Sequence, residues 1–136
     1  MAYSLLTQAE MNFYKVLITV VDREKYTICP KVRMIDVLWM KTYKTANKQA
    51  FFNKIVRKHF DFVVCYADSL KPVYAIELDD KTHQWEERKE RDEFVDSLFE
   101  SLNFNVIHIP VQYSYNVEEL KNKLGVVQSV DSEENL

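Results

Sequence analysis

Acidic side chains stand inside two runs that are otherwise apolar and rich in β-branched and aromatic residues. Asp61 lies in the run from Phe60 to Cys65, and Glu77 in the run from Pro72 to Leu78, with Asp79 directly after it. Such runs read as strands, and the intervening Ala67-Asp68-Ser69-Leu70-Lys71 reads as the turn of an antiparallel hairpin. If Tyr66 pairs with Pro72 across that loop, Asp61 falls opposite Glu77. Alternate residues share a face, so Glu77 and Asp79 project together while Tyr74, Ile76 and Leu78 fill the other side. Opposed carboxylates, with Cβ atoms about 5 Å apart, repel each other unless something positive lies between them. A divalent cation with oxygen ligands meets that need. The plainer alternative makes Asp61 an exposed strand-initial acid and Asp79-Asp80 the opening of a loop. It leaves Glu77 unexplained, because an unpaired carboxylate is disfavoured within a strand.

A second feature is the distribution of positive charge. From Lys41 to Phe60 there is no acid, while Lys41, Lys44, Lys48, Lys54, Arg57 and Lys58 are interleaved with Tyr43, Phe51, Phe52 and His59. Next to an acidic metal site, such a stretch suits a polyanion whose phosphates need neutralising. A solvated basic helix face is the alternative.

These groups need elements to carry them. Thr7-Gln8-Ala9-Glu10 has the form of a capping box, and Met11, Tyr14, Leu17, Ile18 and Val21 follow at helical spacing, predicting a helix from about residue 7 to 21. Tyr26 to Val32 reads as a strand in which Pro30 demands an edge or a bulge. Met34 to Trp39 is ambiguous, and Thr45 to Lys58 is helical by pattern. Thr82 or His83 caps a long helix with an inner stripe of Phe94, Val95, Leu98, Phe99 and Leu102. Phe104 to Ile109 is a strand ended by Pro110, and Val117, Leu120 and Leu124 predict a short helix closing near Gly125. The expected architecture is α/β: a mixed four-stranded sheet flanked by helices, with an αβββαβ core. Residues 1–127 form one domain, and 128–136 form an acidic tail expected to be disordered.

The composition excludes several classes. With 136 residues the chain supports a single core. No run approaches the roughly 20 apolar residues of a membrane span, and no signal peptide is evident. Gly125 is the only glycine, which argues against dinucleotide-binding and P-loop motifs. Cys29 and Cys65 form no CxxC motif, so neither a disulfide framework nor a zinc ribbon is expected and a reducing cytoplasm fits best. The net charge of −3 is matched by the tail acids Asp131, Glu133 and Glu134, leaving the body neutral.

The order of elements, with Asp61 on the second core strand and Glu77 on the third, resembles the PD-(D/E)XK nuclease superfamily, whose fold is restriction-endonuclease-like. More narrowly, several stretches resemble a bacterial family catalogued as Domain of Unknown Function 2726. They are Leu5-Leu6-Thr7 with Glu10 and Phe13-Tyr14, Phe60-Asp61-Phe62-Val63, Ile76-Glu77-Leu78-Asp79-Asp80 with Thr82-His83, and Arg88 with Arg91-Asp92 and Phe94. The resemblance covers roughly residues 4 to 124. One departure stands out: the superfamily's lysine two residues after the glutamate is replaced by Asp79.

The resemblance implies a metal-dependent nuclease hydrolysing phosphodiester bonds, on DNA ahead of RNA. Asp61 and Glu77 would hold Mg²⁺ or Mn²⁺, with Asp79 completing the ligand set and Glu10 contributing from the first helix. His83, which titrates near neutrality, or Lys81 would activate water. Lys44, Lys48, Lys54, Arg57, Lys58, Arg88 and Arg91 would contact phosphates. Plainer roles exist: His83 and Glu10 as capping residues, and Arg88 as the i,i+4 ion-pair partner of Asp92. Two rivals stand beside the enzyme. One is an inactive nuclease-fold module that binds nucleic acid or a protein, and the other is an interaction domain binding a partner through its charged helix or acidic tail.

Overall fold

The structure is a computed structural model that describes residues 4–42, 49–80 and 85–134. Its elements run in the order α1 (Gln8–Val20), β1 (Tyr26–Arg33), α2 (Met34–Thr42), α3 (Gln49–Ile55), β2 (His59–Tyr66), β3 (Pro72–Asp79), α4 (Trp85–Ser101), β4 (Asn105–Pro110) and α5 (Val117–Glu134). The strands form one four-stranded sheet in the order β1-β2-β3-β4. β1 pairs with β2 and β2 with β3 antiparallel, whereas β4, reached through α4, lies parallel to β3. This is the mixed α/β sheet expected from sequence, and Pro30 does sit on an edge strand.

Both faces of the sheet are covered, which is why the central strands read as continuous apolar runs rather than alternating ones. On one side Phe13 and Leu17 of α1 and Leu120 and Leu124 of α5 pack on Phe62, Val64, Tyr74 and Ile76. On the other, Leu38 of α2, Ile55 of α3 and Phe99 of α4 pack on Phe60, Val63 and Ala75. The aromatic contacts Phe13–Phe62, at 5.7 Å between ring centroids, and Phe60–Phe99, at 5.1 Å, lock the two layers to the same strand.

Two readings are narrowed and two expectations change. Met34 to Trp39 resolves as a helix, because Met34, Ile35, Val37 and Leu38 all find burial in the second layer. The helix expected over residues 45–58 is described as α3, Gln49–Ile55, with residues 43–48 outside the described set. The final helix does not close at Gly125, whose φ is not positive, and its backbone continues to Glu134 through residues expected to form a disordered tail. In the hairpin, Phe62↔Ile76, Val63↔Ala75 and Val64↔Tyr74 pair as expected, but Pro72 pairs with Cys65 rather than Tyr66 because the register shifts after Val64. Tyr66 instead accepts Leu70 N–H at 2.9 Å and donates to Lys71 O at 3.0 Å, and Leu70 takes a left-handed φ of 61°.

Candidate active site

The C-terminal end of β3, the N-terminal end of β2 and the first turn of α1 carry the acids singled out by sequence, and the C-terminal end of β1 brings Lys31 to them. α1 begins with a complete capping box: Thr7 Oγ1 accepts Glu10 N–H at 3.2 Å, and Glu10 Oε1 accepts Thr7 N–H at 2.8 Å. Glu10 is the one buried charged residue among those described, at 7% exposure. Its second oxygen, Oε2, accepts a hydrogen bond from Lys31 Nζ at 2.6 Å, and the Asp61 carboxyl lies near enough to influence its ionisation. The capping role expected for Glu10 is thus present on one oxygen, and the other oxygen holds the Lys31 ammonium.

Strand alternation breaks where Lys31 and Asp61 meet this group. Along β1, Ile28 faces the α1 layer and Cys29 the α2 layer. Regular alternation would put Lys31 with Cys29, yet Val32 takes that side and Lys31 reaches across to α1. The switch is made by Lys31 itself, whose φ is 56°. On the neighbouring strand Phe60 faces the α2 layer and Phe62 the α1 layer, so Asp61 sits at a matching switch. Pro30↔Phe62 and Val32↔Phe60 pair on either side of it. Asp61 Oδ2 accepts Leu78 N–H from β3 at 2.8 Å.

Charge divides unequally between the two contacting carboxyls. Burial pushes Glu10 up, but the Lys31 ammonium and the Thr7 N–H outweigh it and hold the carboxyl below its usual value. Burial raises Asp61 to about 6, the Leu78 N–H opposes this, and the neighbouring Glu10 adds to it. Glu10 is thus the ionised member and Asp61 the one that carries a proton in mildly acid solution.

Glu77 follows Ile76 on β3, half-buried, with Oε1 shut off from solvent, and pairs in register with His108 of β4. Asp79 does not join Asp61 as the hairpin geometry suggested. It is drawn to His108, whose Nδ1 lies 3.1 Å from Asp79 Oδ1 and whose Nε2 lies 2.8 Å from Asp96 Oδ2 of α4. Burial would lower His108, but Asp96 and then Asp79 overcome it and raise its pKa to about 9. The imidazolium clamps β3, β4 and α4 together. Lys31, His108 and Asp96 were not singled out from the sequence. Among the described residues no group of three or more His, Cys, Asp or Glu side chains stands at metal-holding distance.

Lys81 and His83 lie outside the described residues, as do Lys44 and Lys48. Arg88 and Arg91 belong to α4 by backbone, with side chains outside the described set. Lys54 and Arg57 are exposed and Lys58 is half-buried, with Lys54 Nζ standing 4.4 Å from the centroid of the Phe94 ring. Cys29 and Cys65 are free thiols, and burial, with Cys29 alongside, pushes Cys65 up to about 12, which leaves it an unreactive thiol. Among the described residues no helix is long and apolar enough to cross a membrane.

A mixed sheet with a buried acid from α1 and a half-buried acid from β2 meeting a strand-borne lysine defines an α/β domain with a candidate acid–lysine site. The family model described as "Protein of unknown function (DUF2726)" matches residues 2–127, and the chain belongs to that family. No curated protein and no solved structure matches the chain.

Proposed function

We propose that this domain is a metal-dependent nuclease of the PD-(D/E)XK superfamily, with a restriction-endonuclease-like fold, hydrolysing phosphodiester bonds in DNA. The observation that carries the reading is the contact between Glu10 and Asp61. Two carboxyls brought together from α1 and β2 share one lysine, and burial and the neighbouring Glu10 raise Asp61 to about 6, so that ionising both costs stability that an added cation would offset. The order of elements, αβββαβ around an antiparallel hairpin and a parallel fourth strand, supports it as well.

The donors are carboxylate oxygens, the kind a hard cation takes, and since no three of them stand at metal-holding distance among the described residues, the acids would have to draw together around the ion. Glu10, Asp61 and Glu77 are the residues that would hold Mg²⁺ or Mn²⁺, and the ion would supply positive charge to the phosphate when bound. Asp79 belongs to the His108 clamp and is left out of this ligand set. In the hydrolysis, water oxygen bonds to phosphorus as the ester phosphorus–oxygen bond breaks, and the proton lost by water is matched by one gained on the leaving oxygen. His83 serves as the base, with Lys81 as the substrate-binding alternative. Lys54, Arg57 and Lys58, joined by Lys44, Lys48, Arg88 and Arg91, attract the phosphate backbone. The two free thiols suit a reducing cytoplasm.

A second reading, an inactive module that binds nucleic acid or a protein partner, draws on Asp79, which stands in place of the superfamily's lysine and is tied to His108. Incubating single- and double-stranded DNA with the protein in Mn²⁺ or in EDTA separates the two. The hydrolase cuts only with metal and loses activity in Asp61→Asn, whereas DNA binding without any cutting supports the module.

A further inference from the structure

We propose that Tyr113, held out from the loop between β4 and α5, is a stacking platform for an unpaired nucleobase, so that the domain takes single-stranded nucleic acid across the rim of the candidate site. The inference deepens the proposed function: it rests on the nucleic-acid substrate of that reading and not on the cut.

Pro110 ends β4, and Asn116 caps α5, its Oδ1 accepting Glu119 N–H at 3.1 Å. Between them the chain is tied on both sides of Tyr113. Val111 N–H donates to Asp79 O at 3.0 Å, at the end of β3. The Tyr115 ring stands edge-on to Phe13 of α1, with 5.2 Å between centroids, and its hydroxyl accepts Gln112 N–H at 3.2 Å. Tyr115 thus packs into the α1 layer, while Tyr113 is 100% exposed. A fully exposed ring adds no burial to the fold, and a loop already fixed around it loses little freedom when a flat partner settles on the ring. Val111 and Val117, both partly exposed, extend the apolar surface at the foot of the loop.

The loop borders the acids. Asp79, which anchors it, follows Glu77 on β3, and Phe13, on which Tyr115 rests, lies one helical turn beyond Glu10 on α1. Charge decides which part of a nucleotide is met there. The cations of β4 and α5 are already engaged: His108 by Asp79 and Asp96, Lys121 by Glu118, and Lys123 by the His108 carbonyl at 2.8 Å. They leave phosphate little to bind, whereas the face of a base needs only the ring. Stacking of this kind tolerates every base and requires one that is unpaired.

The test measures, by fluorescence anisotropy in EDTA, the binding of a labelled oligothymidylate and of a DNA duplex of equal length to the parent, Tyr113→Ala and Tyr113→Trp across a salt series. Tyr113→Ala is expected to bind the single strand about tenfold more weakly. The slope of log K against log salt should not change, because no phosphate contact is lost. Tyr113→Trp should bind the single strand at least as tightly as the parent, duplex affinity should be the same in all three, and all three should melt at the same temperature. Single-strand binding by Tyr113→Ala equal to the parent's overturns the proposal. So does a loss that is as large on the duplex, that tryptophan does not restore, or that comes with a lowered melting temperature, which would make the ring structural. Working without metal separates the failures. A parent that never cleaves DNA yet shows the tenfold, tryptophan-restored effect sinks hydrolysis and keeps the platform. A parent that binds neither strand form removes the nucleic-acid reading and the platform together, leaving Tyr113 to a protein partner.

Discussion

Asp61 and Leu78 are joined side chain to main chain, the carboxylate Oδ2 accepting the Leu78 N–H at 2.8 Å where an antiparallel neighbour's carbonyl would ordinarily stand. The described β2–β3 pairing ends at Phe62↔Ile76, and the acid is held at the point where the strands part. A group needed only for stability would serve better uncharged.

Asp61→Asn should therefore stabilise the protein at neutral and alkaline pH. Its amide oxygen can keep the Leu78 N–H and its NH₂ can donate to Glu10. The folded pKa, about 6, lies above the reference value of 3.8, so ionised Asp61 costs stability. That cost is absent below about pH 4, grows through the interval and is full above about pH 6. Thermal denaturation should show a gain on the order of 1 kcal/mol at pH 8, allowing for solvent screening, that closes toward pH 4. A variant less stable than the parent at pH 8 would contradict the strained-acid assignment.

His108→Gln should show the opposite pH dependence. The folded pKa of about 9 lies above the reference value of 6.5, so the charged clamp contributes stability that is fully present below about pH 6.5 and is lost as pH rises through about 9. With Asp79 and Asp96 both partly exposed, the contribution is on the order of 1 kcal/mol. Urea denaturation at pH 6 and pH 10 measures it. The parent should exceed the variant at pH 6 and approach it at pH 10, and equal gaps at both would show that the imidazole acts by packing alone.

The basic face predicts salt-dependent binding. Replacing Lys54, Arg57 and Lys58 together by Gln should weaken DNA binding and flatten the slope of log K against log salt by about 2 to 3 units, the amount expected for as many lost phosphate contacts. Fluorescence anisotropy across a salt series reads the slope. An unchanged slope would make the segment a solvated face. Because Lys54 also covers the Phe94 ring, Lys54→Gln alone provides the stability control.

The α/β order and most of the hairpin register were legible because they follow from local pattern: a capping box at Thr7, runs of apolar residues, and a stripe on α4. Glu77 stood out because a carboxylate inside a strand is out of place. Lys31 was not legible, because strict alternation sends it to the wrong side and only its left-handed φ reverses that. His108 gave no local signal either, since its partners Asp79 and Asp96 lie 29 and 12 residues away and come together only when β3, β4 and α4 pack. The same long-range attraction explains why Asp79, which alternation aligned with Glu77, turned to an imidazole. Glu10 was ambiguous in sequence because its capping box is local, whereas its partners Lys31 and Asp61 come from distant strands.

The most direct test follows Mn²⁺-induced thermal stabilisation and DNA cleavage together in the parent and in Glu77→Gln, a substitution that removes a ligand charge at nearly constant volume. The parent should be stabilised by Mn²⁺, since a cation bound only to the folded state adds stability, and should cleave DNA. Glu77→Gln should fold, lose most of the Mn²⁺ response and cut nothing. A Glu77→Gln protein that keeps the parent's Mn²⁺ stabilisation and full cleavage would contradict the assignment of the acids to a metal-dependent nuclease site.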